Sequence, residues 1–411
     1  MPVKNRLLVA AGVFVILGGV VALAHWYQSN RSKPQASAAG QNLLMHVTNN
    51  ADRGPGTLRE AIYLAAGAAA PATVSIEVPR IDLQSSLPPF VNAHGLRLIG
   101  TSPGVEINAG ALSTGPVLDI AGPNVSVEGV SIQNCPAIAI LVRAVHFHLA
   151  SSLIQSCDVG VEVAENASDT LLERNRFAKD RLGVRFAAAG RNSVVASNEF
   201  VDDKDAGLWA VRSSTDARDA AITIRDNKFT EDGNAIVAGN IPVLIERNEF
   251  VNAHEAAVDL VGAGAVVRGN QINGGAAMGI VGESSSGAVI ENNEIEGVGA
   301  YGIMLRRSSN MLVRNNRLNN CGYGLAFVLG DLKNVSHAVG NVIIEPKFNG
   351  IDVLGDSPTL SHNQVLRAHA YALHVDDFQP PSGERVTSHP YLEDNNFGSS
   401  PVKTAAMRTA P

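Results

Sequence analysis

Through most of the chain, apolar residues fall in short Φ-x-Φ runs broken by Gly, Asn or Asp, with almost no stretch of helical period. That pattern predicts many short strands joined by tight turns. One polar residue recurs inside it. Aligned on Asn248 in "VLIERNEF", the chain repeats "LLERNRF" (Asn175), "VVASNEF" (Asn198), "TIRDNKF" (Asn227), "VVRGNQI" (Asn270), "VIENNEI" (Asn293), "LVRNNRL" (Asn316), "HAVGNVI" (Asn341), "TLSHNQV" (Asn363) and "YLEDNNF" (Asn395). Successive steps from Asn175 are 23, 29, 21, 22, 23, 23, 25, 22 and 32 residues, and the frame continues upstream through Ser152 and Val130. A second element, Gly-Φ-x-Φ, follows at Gly183, Gly207, Gly279, Gly302, Gly324 and Gly350.

A repeat of roughly 22 residues built from strands is the signature of a solenoid. Three short strands and three turns consume that length, so each repeat predicts one coil of a parallel β-helix. A leucine-rich repeat would need a denser Leu frame and a helical half. Stacked coils place the Asn residues in one column, where each amide donates to its neighbour's carbonyl. An inward Asn is costly alone and satisfied in a stack. Asn175, Asn198, Asn227, Asn248, Asn270, Asn293, Asn316, Asn341 and Asn363 are therefore expected to form a structural ladder.

Near the N-terminus, "VTNNADRGPGTLREAIYLAAG" (47–67) reads as a turn, an N-cap at Thr57, a capping-box Glu60 and an amphipathic helix through Leu58, Ile62 and Ala65. These repeats and this opening segment resemble right-handed parallel β-helix proteins of the pectin-lyase-like group. The resemblance implies an all-β right-handed solenoid closed by an N-terminal helical cap, in a fold that hosts many activities.

The expected domains are a signal peptide or membrane anchor (1–27), a linker (28–44), the β-helix (45–398) and a disordered tail (399–411). Lys4 and Arg6 precede an unbroken apolar run, Leu7 to Ala24. This predicts export to the periplasm, either anchored to the inner membrane by residues 7–24 or released after cleavage. The net charge of −7 gives no general attraction to nucleic acid.

Cys135 and Cys157 each lie five residues after a ladder position, one coil apart, which is within disulfide reach. Two buried free thiols are the alternative.

In the β-helix strands the x of Gly-Φ-x-Φ points outward. This column holds Glu162, Arg185, Trp209, Asp259, Val281, Met304, Ala326, Asp352 and His374, the irregular coil near Ile236 being left out. Asp352, His374 and Asp376 form an expected catalytic group, able to supply a base, an acid or a cation site. Tyr301, Tyr323 and Tyr371 precede the same strands as an expected sugar platform, and Arg306 and Arg307 are expected to hold a substrate carboxylate. His146 and His148 are the candidate metal ligands, though no third ligand is visible. No cofactor is evident, and no calcium motif supports a Ca2+ ion. The Asp-Pro-His-Asp tetrad of β-helix mannuronan epimerases is absent.

Two readings of function follow. In one the protein engages a bacterial polysaccharide and processes it by lyase, epimerase or hydrolase chemistry. In the other it is a non-catalytic scaffold for a glycan or a protein partner in envelope assembly. A copper-related role rests on analogy with β-helix proteins of nitrous-oxide reductase maturation.

Overall fold

The computed structural model describes residues 42–101, 104–187, 190–211, 221–275, 277–331, 333–379, 383–404 and 408–409. The signal or anchor segment and nearly all of the linker lie outside the described residues. Among the described residues no helix is long and apolar enough to cross a membrane.

The chain winds through three parallel sheets, here A, B and C, of 16, 13 and 13 strands. Within each sheet, consecutive neighbours come from successive coils. Sheet A runs from Leu43–Val47 to Arg408–Thr409, and sheet B from Arg80–Asp82 to Gln364–Leu366. Sheet C runs from Leu118–Ile120 to Val402–Thr404. The apolar positions of all three line one continuous interior. Helix Leu58–Ala66 sits beside the first strands, with Thr57 as N-cap and Leu58, Ala61, Ile62 and Ala65 buried. The Glu60 carboxylate accepts from the Gly56 N–H at 2.6 Å.

The corner between sheets A and B is built by the ladder. The residue before each Asn adopts a left-handed conformation, as at Arg174 (φ 55°), Ser197 (58°), Asp226 (57°) and Arg247 (53°). This turns the chain sharply and brings the Asn inward. Asn248 Nδ2 donates to Asn270 Oδ1 (3.1 Å) and to the Ile224 carbonyl (3.0 Å). Its Oδ1 accepts from the N–H and Nδ2 of Asn227, both at 3.0 Å. The same pattern links Asn175 to Asn395 coil by coil, and Ser152 extends it by donating its N–H to Asn175 Oδ1. Every amide hydrogen and carbonyl of Asn248 is thereby used, which makes a buried polar column affordable.

Two residues past Asn175, Asn198, Asn227 and Asn248, the core carries a run of Phe. Phe177, Phe200, Phe229 and Phe250 stack with centroids 4.9, 4.5 and 5.1 Å apart. Phe200 has a ring on each side and is fully buried. Phe200→Ala is expected to cost about 3–5 kcal/mol, since the coil spacing fixed by flanking strands prevents collapse of the cavity. A loss below about 1 kcal/mol in urea unfolding would show that neighbouring coils close the gap.

Five residues past the ladder lies a different column. Cys135 and Cys157 are paired as a disulfide, with Cα atoms 4.3 Å apart. The column continues as Asp180, Asp203 and Asp232. Asp180 Oδ1 accepts from the Cys157 N–H (2.7 Å), Asp203 Oδ1 from Asp180 N–H (2.9 Å) and Asp232 Oδ1 from Asp203 N–H (2.9 Å). The Oδ2 atom of each is buried without a partner. Cys321, further along, is a free buried thiol, pushed up to about 11 by burial.

The tail from 399 is expected to be disordered, yet Val402–Thr404 pairs with Leu373–Asp376 and extends sheet C.

Candidate functional site

Register places the outward column of sheet C in one line. Glu162, Arg185, Trp209, Val237, Asp259, Val281, Met304, Ala326, Asp352, His374 and Lys403 are successive Cα partners. Val237 fills the coil left out of the sequence reading, and Lys403 extends the column beyond His374.

Gly324 shows why Gly opens these strands, since a Cβ there would lie 2.3 Å from the Gly350 carbonyl oxygen. Without side chains at that step, adjacent coils close tightly, and the outward residues one coil apart come within bonding distance.

Glu162 with Arg185 and Asp352 with His374 make such contacts. His374 Nδ1 lies 2.9 Å from Asp352 Oδ1, which also accepts from Asn349 Nδ2 at 2.8 Å. An oxygen already accepting an amide hydrogen serves His374 as acceptor too, so Nδ1 carries the proton and Nε2 the lone pair. Nε2 faces Lys403 Nζ at 3.3 Å. Lys403 also reaches Asp376 Oδ2 at 3.6 Å. The Asp352 side chain is only 5% exposed, and burial raises its pKa against the opposing pull of Asn349 and His374. Asp377, next in sequence, is taken up by Arg385 at 2.8 Å and the Ser388 N–H at 2.9 Å.

The aromatic residues differ from expectation. Tyr301 and Tyr323 stack at 4.7 Å, but the third ring of the stack is Phe348, 4.9 Å from Tyr323. Tyr371 stacks on His374 instead, at 5.7 Å. Rings piled face to face along the axis present edges and hydroxyls to solvent, so Tyr323 has no free face for a sugar. Burial raises the Tyr301 hydroxyl pKa, with Asp352 and Tyr323 adding to it. Phe348 escaped the sequence reading because Asn349 holds the aligned position.

Arg306 and Arg307 are not brought to Asp352. Both face Glu283, at 3.7 and 3.5 Å, and Arg306 aligns with Val328 rather than Ala326. A guanidinium already facing a carboxylate is a weak candidate for a substrate carboxylate.

His146 and His148 point outward but meet separate acids, Asp169 at 4.0 Å and Glu173 at 3.2 Å. Among the described residues no group of three His, Cys, Asp or Glu could hold a metal ion. With two cysteines paired and Cys321 buried, these residues do not fit a copper site.

A groove of about 1170 Å³ runs along the corner between sheets A and B, far from Asp352 in sequence, and sequence reading missed it. Its lining includes Ser131, Gln133, Ser151, Leu153, Arg176 and Lys228. Arg176 pairs with Glu199 and Lys228 with Glu249. The small residues Gly129 and Ser151 at the turn before the ladder were the available signal.

Two family models match the chain: "Right handed beta helix region" over residues 216–365, and "Periplasmic copper-binding protein (NosD)" over 116–264. No curated protein matches the sequence significantly. Among solved structures, a tailspike protein mutant of E. coli bacteriophage HK620 in complex with a hexasaccharide is similar with TM-score 0.57 and 12% identity, covering 89% of this chain and 80% of that one. The catalytic unit of a GH87 α-1,3-glucanase from Streptomyces thermodiastaticus has TM-score 0.51 and 13% identity, covering 90% and 71%. At such identity the likeness concerns the fold. Repeat and register together make the described chain a parallel β-helix, and a right-handed β-helix family model matches it over residues 216–365.

Proposed function

We propose that the protein is exported and that the C-terminal end of sheet C engages a polysaccharide, with Asp352, His374 and Lys403 as its acid–base centre. The carrying observation is His374 held between a buried carboxylate at Nδ1 and an ammonium at Nε2. Asp352 fixes the tautomer and supports a proton arriving on the ring. Lys403, half-exposed and shared with Asp376, can turn to a substrate carboxylate or leaving oxygen and free Nε2 to act as base. The solved neighbours include a glucanase and a saccharide-bound tailspike, which supports a glycan as the ligand class. Export is supported by the apolar run after Lys4 and Arg6 and by the periplasmic description of one matching family.

The contact of Lys403 with Nε2 also favours a second reading, in which the resting site has no free base and the protein binds glycan without turning it over.

Incubating the chain with uronate-containing and neutral bacterial polysaccharides tests both. New unsaturated or reducing ends, or a changed sugar configuration, that fall about 10²–10⁴-fold in His374→Ala identify an enzyme. Retention without product identifies a scaffold. A product yield that His374→Ala leaves unchanged would sink the assignment of the centre.

A further inference from the structure

Phe348 stands out on the face that carries the acid–base centre. It is 50% exposed, although it is the last ring of the Tyr301–Tyr323–Phe348 stack. One of its faces is covered by Tyr323. Half of Phe348 is thus open to solvent although Tyr323 covers one side, and its carbonyl is bonded to Ala370, the residue before Tyr371 in the next coil. Its backbone is fixed at both ends: the N–H donates to the Gly322 carbonyl at 2.8 Å, and the carbonyl accepts from the Ala370 N–H at 3.2 Å.

An exposed apolar ring held in this way is costly to solvate and is ordered before any ligand arrives, so binding loses little rotamer entropy. The adjacent Asn349 donates to Asp352 at 2.8 Å and accepts the Tyr371 N–H at 3.2 Å. The open ring and the acid–base centre therefore belong to one rigid pair of coils.

We infer that Phe348 is a sugar-stacking subsite, taking the C–H face of a pyranose next to the residue held at His374. The inference rests on the glycan reading of that centre and adds a specificity to it. An aromatic face accepts hexopyranoses whose ring hydrogens share one side, and it offers nothing to a charged substituent.

The test uses the full parent chain, with retention read separately from product formation. It is run by affinity electrophoresis in gels containing alginate, polygalacturonate or dextran. Adding Phe348→Ala should weaken retention about tenfold, the scale of one lost stacking contact. Phe348→Trp should restore it, and its indole fluorescence should shift when the retaining polysaccharide is added. Retention that survives Phe348→Ala undiminished overturns the subsite while leaving the glycan reading in place. No retention of the parent chain on any gel overturns both.

Discussion

Asn248→Ala is expected to lower stability by about 4 kcal/mol, although it removes only a short side chain. The change strands the Asn227 N–H, the Asn227 Nδ2 hydrogen and the Ile224 carbonyl, each of which bonds Asn248. Each stranded buried group costs about 1–3 kcal/mol, partly offset where water enters. Asn248→Ser should be milder, because Ser152 serves one end of the same column and its Oγ accepts the Val130 N–H at 3.3 Å. Urea unfolding with hydrogen exchange would locate the loss at the coils on either side, since a solenoid couples nearest neighbours. A penalty under about 1 kcal/mol would mean that the sheets alone hold the corner.

The second expectation concerns alkaline pH. Burial raises Asp180 and Asp232 to about 8, and raises Asp203 well above the ordinary carboxylate range, with Asp232 and Asp180 adding to it. The unfolded chain releases these protons near the ordinary aspartate value of 3.8. Between those limits the folded state binds more protons than the unfolded one, so stability falls as pH rises. The contribution is complete below about 3.8, is lost progressively toward about 8, and stays lost above it. Asp203→Asn keeps the acceptor for the Asp180 N–H and removes the titration. The variant should match the parent at pH 4 and unfold at a clearly higher temperature at pH 8. A melting difference that does not change with pH would show that the column ionises freely in the folded protein.

Most of the fold was legible because a buried Asn is tolerable only in a stack. Its recurrence therefore fixed the coil length and, with it, the pairing of Asp352 with His374. The same logic was blind where partners come from outside the period. Lys403 lies in a segment whose composition reads as a tail, and only its pairing with His374 gives it a role. Phe348 sits one place off the aligned Tyr positions, and ring stacking tolerates that offset where backbone register does not. Arg306 and Arg307 have Glu283 beside them, a carboxylate that sequence alone does not place there. The corner groove left only the small residues Gly129 and Ser151 as a signal, a much weaker one than the recurring Asn.

The register of sheet C has a consequence for how such a chain can change. The acid–base centre occupies only the coils from Asn349 onward. The coils from Asn175 to Asn293 repeat the same ladder joint, so a whole coil can be inserted or deleted there with each joint re-formed. Overall length and local chemistry are thus separately adjustable. A variant lacking the unit between Asn248 and Asn270 would be shorter by one strand spacing, with the surroundings of His374 unaltered.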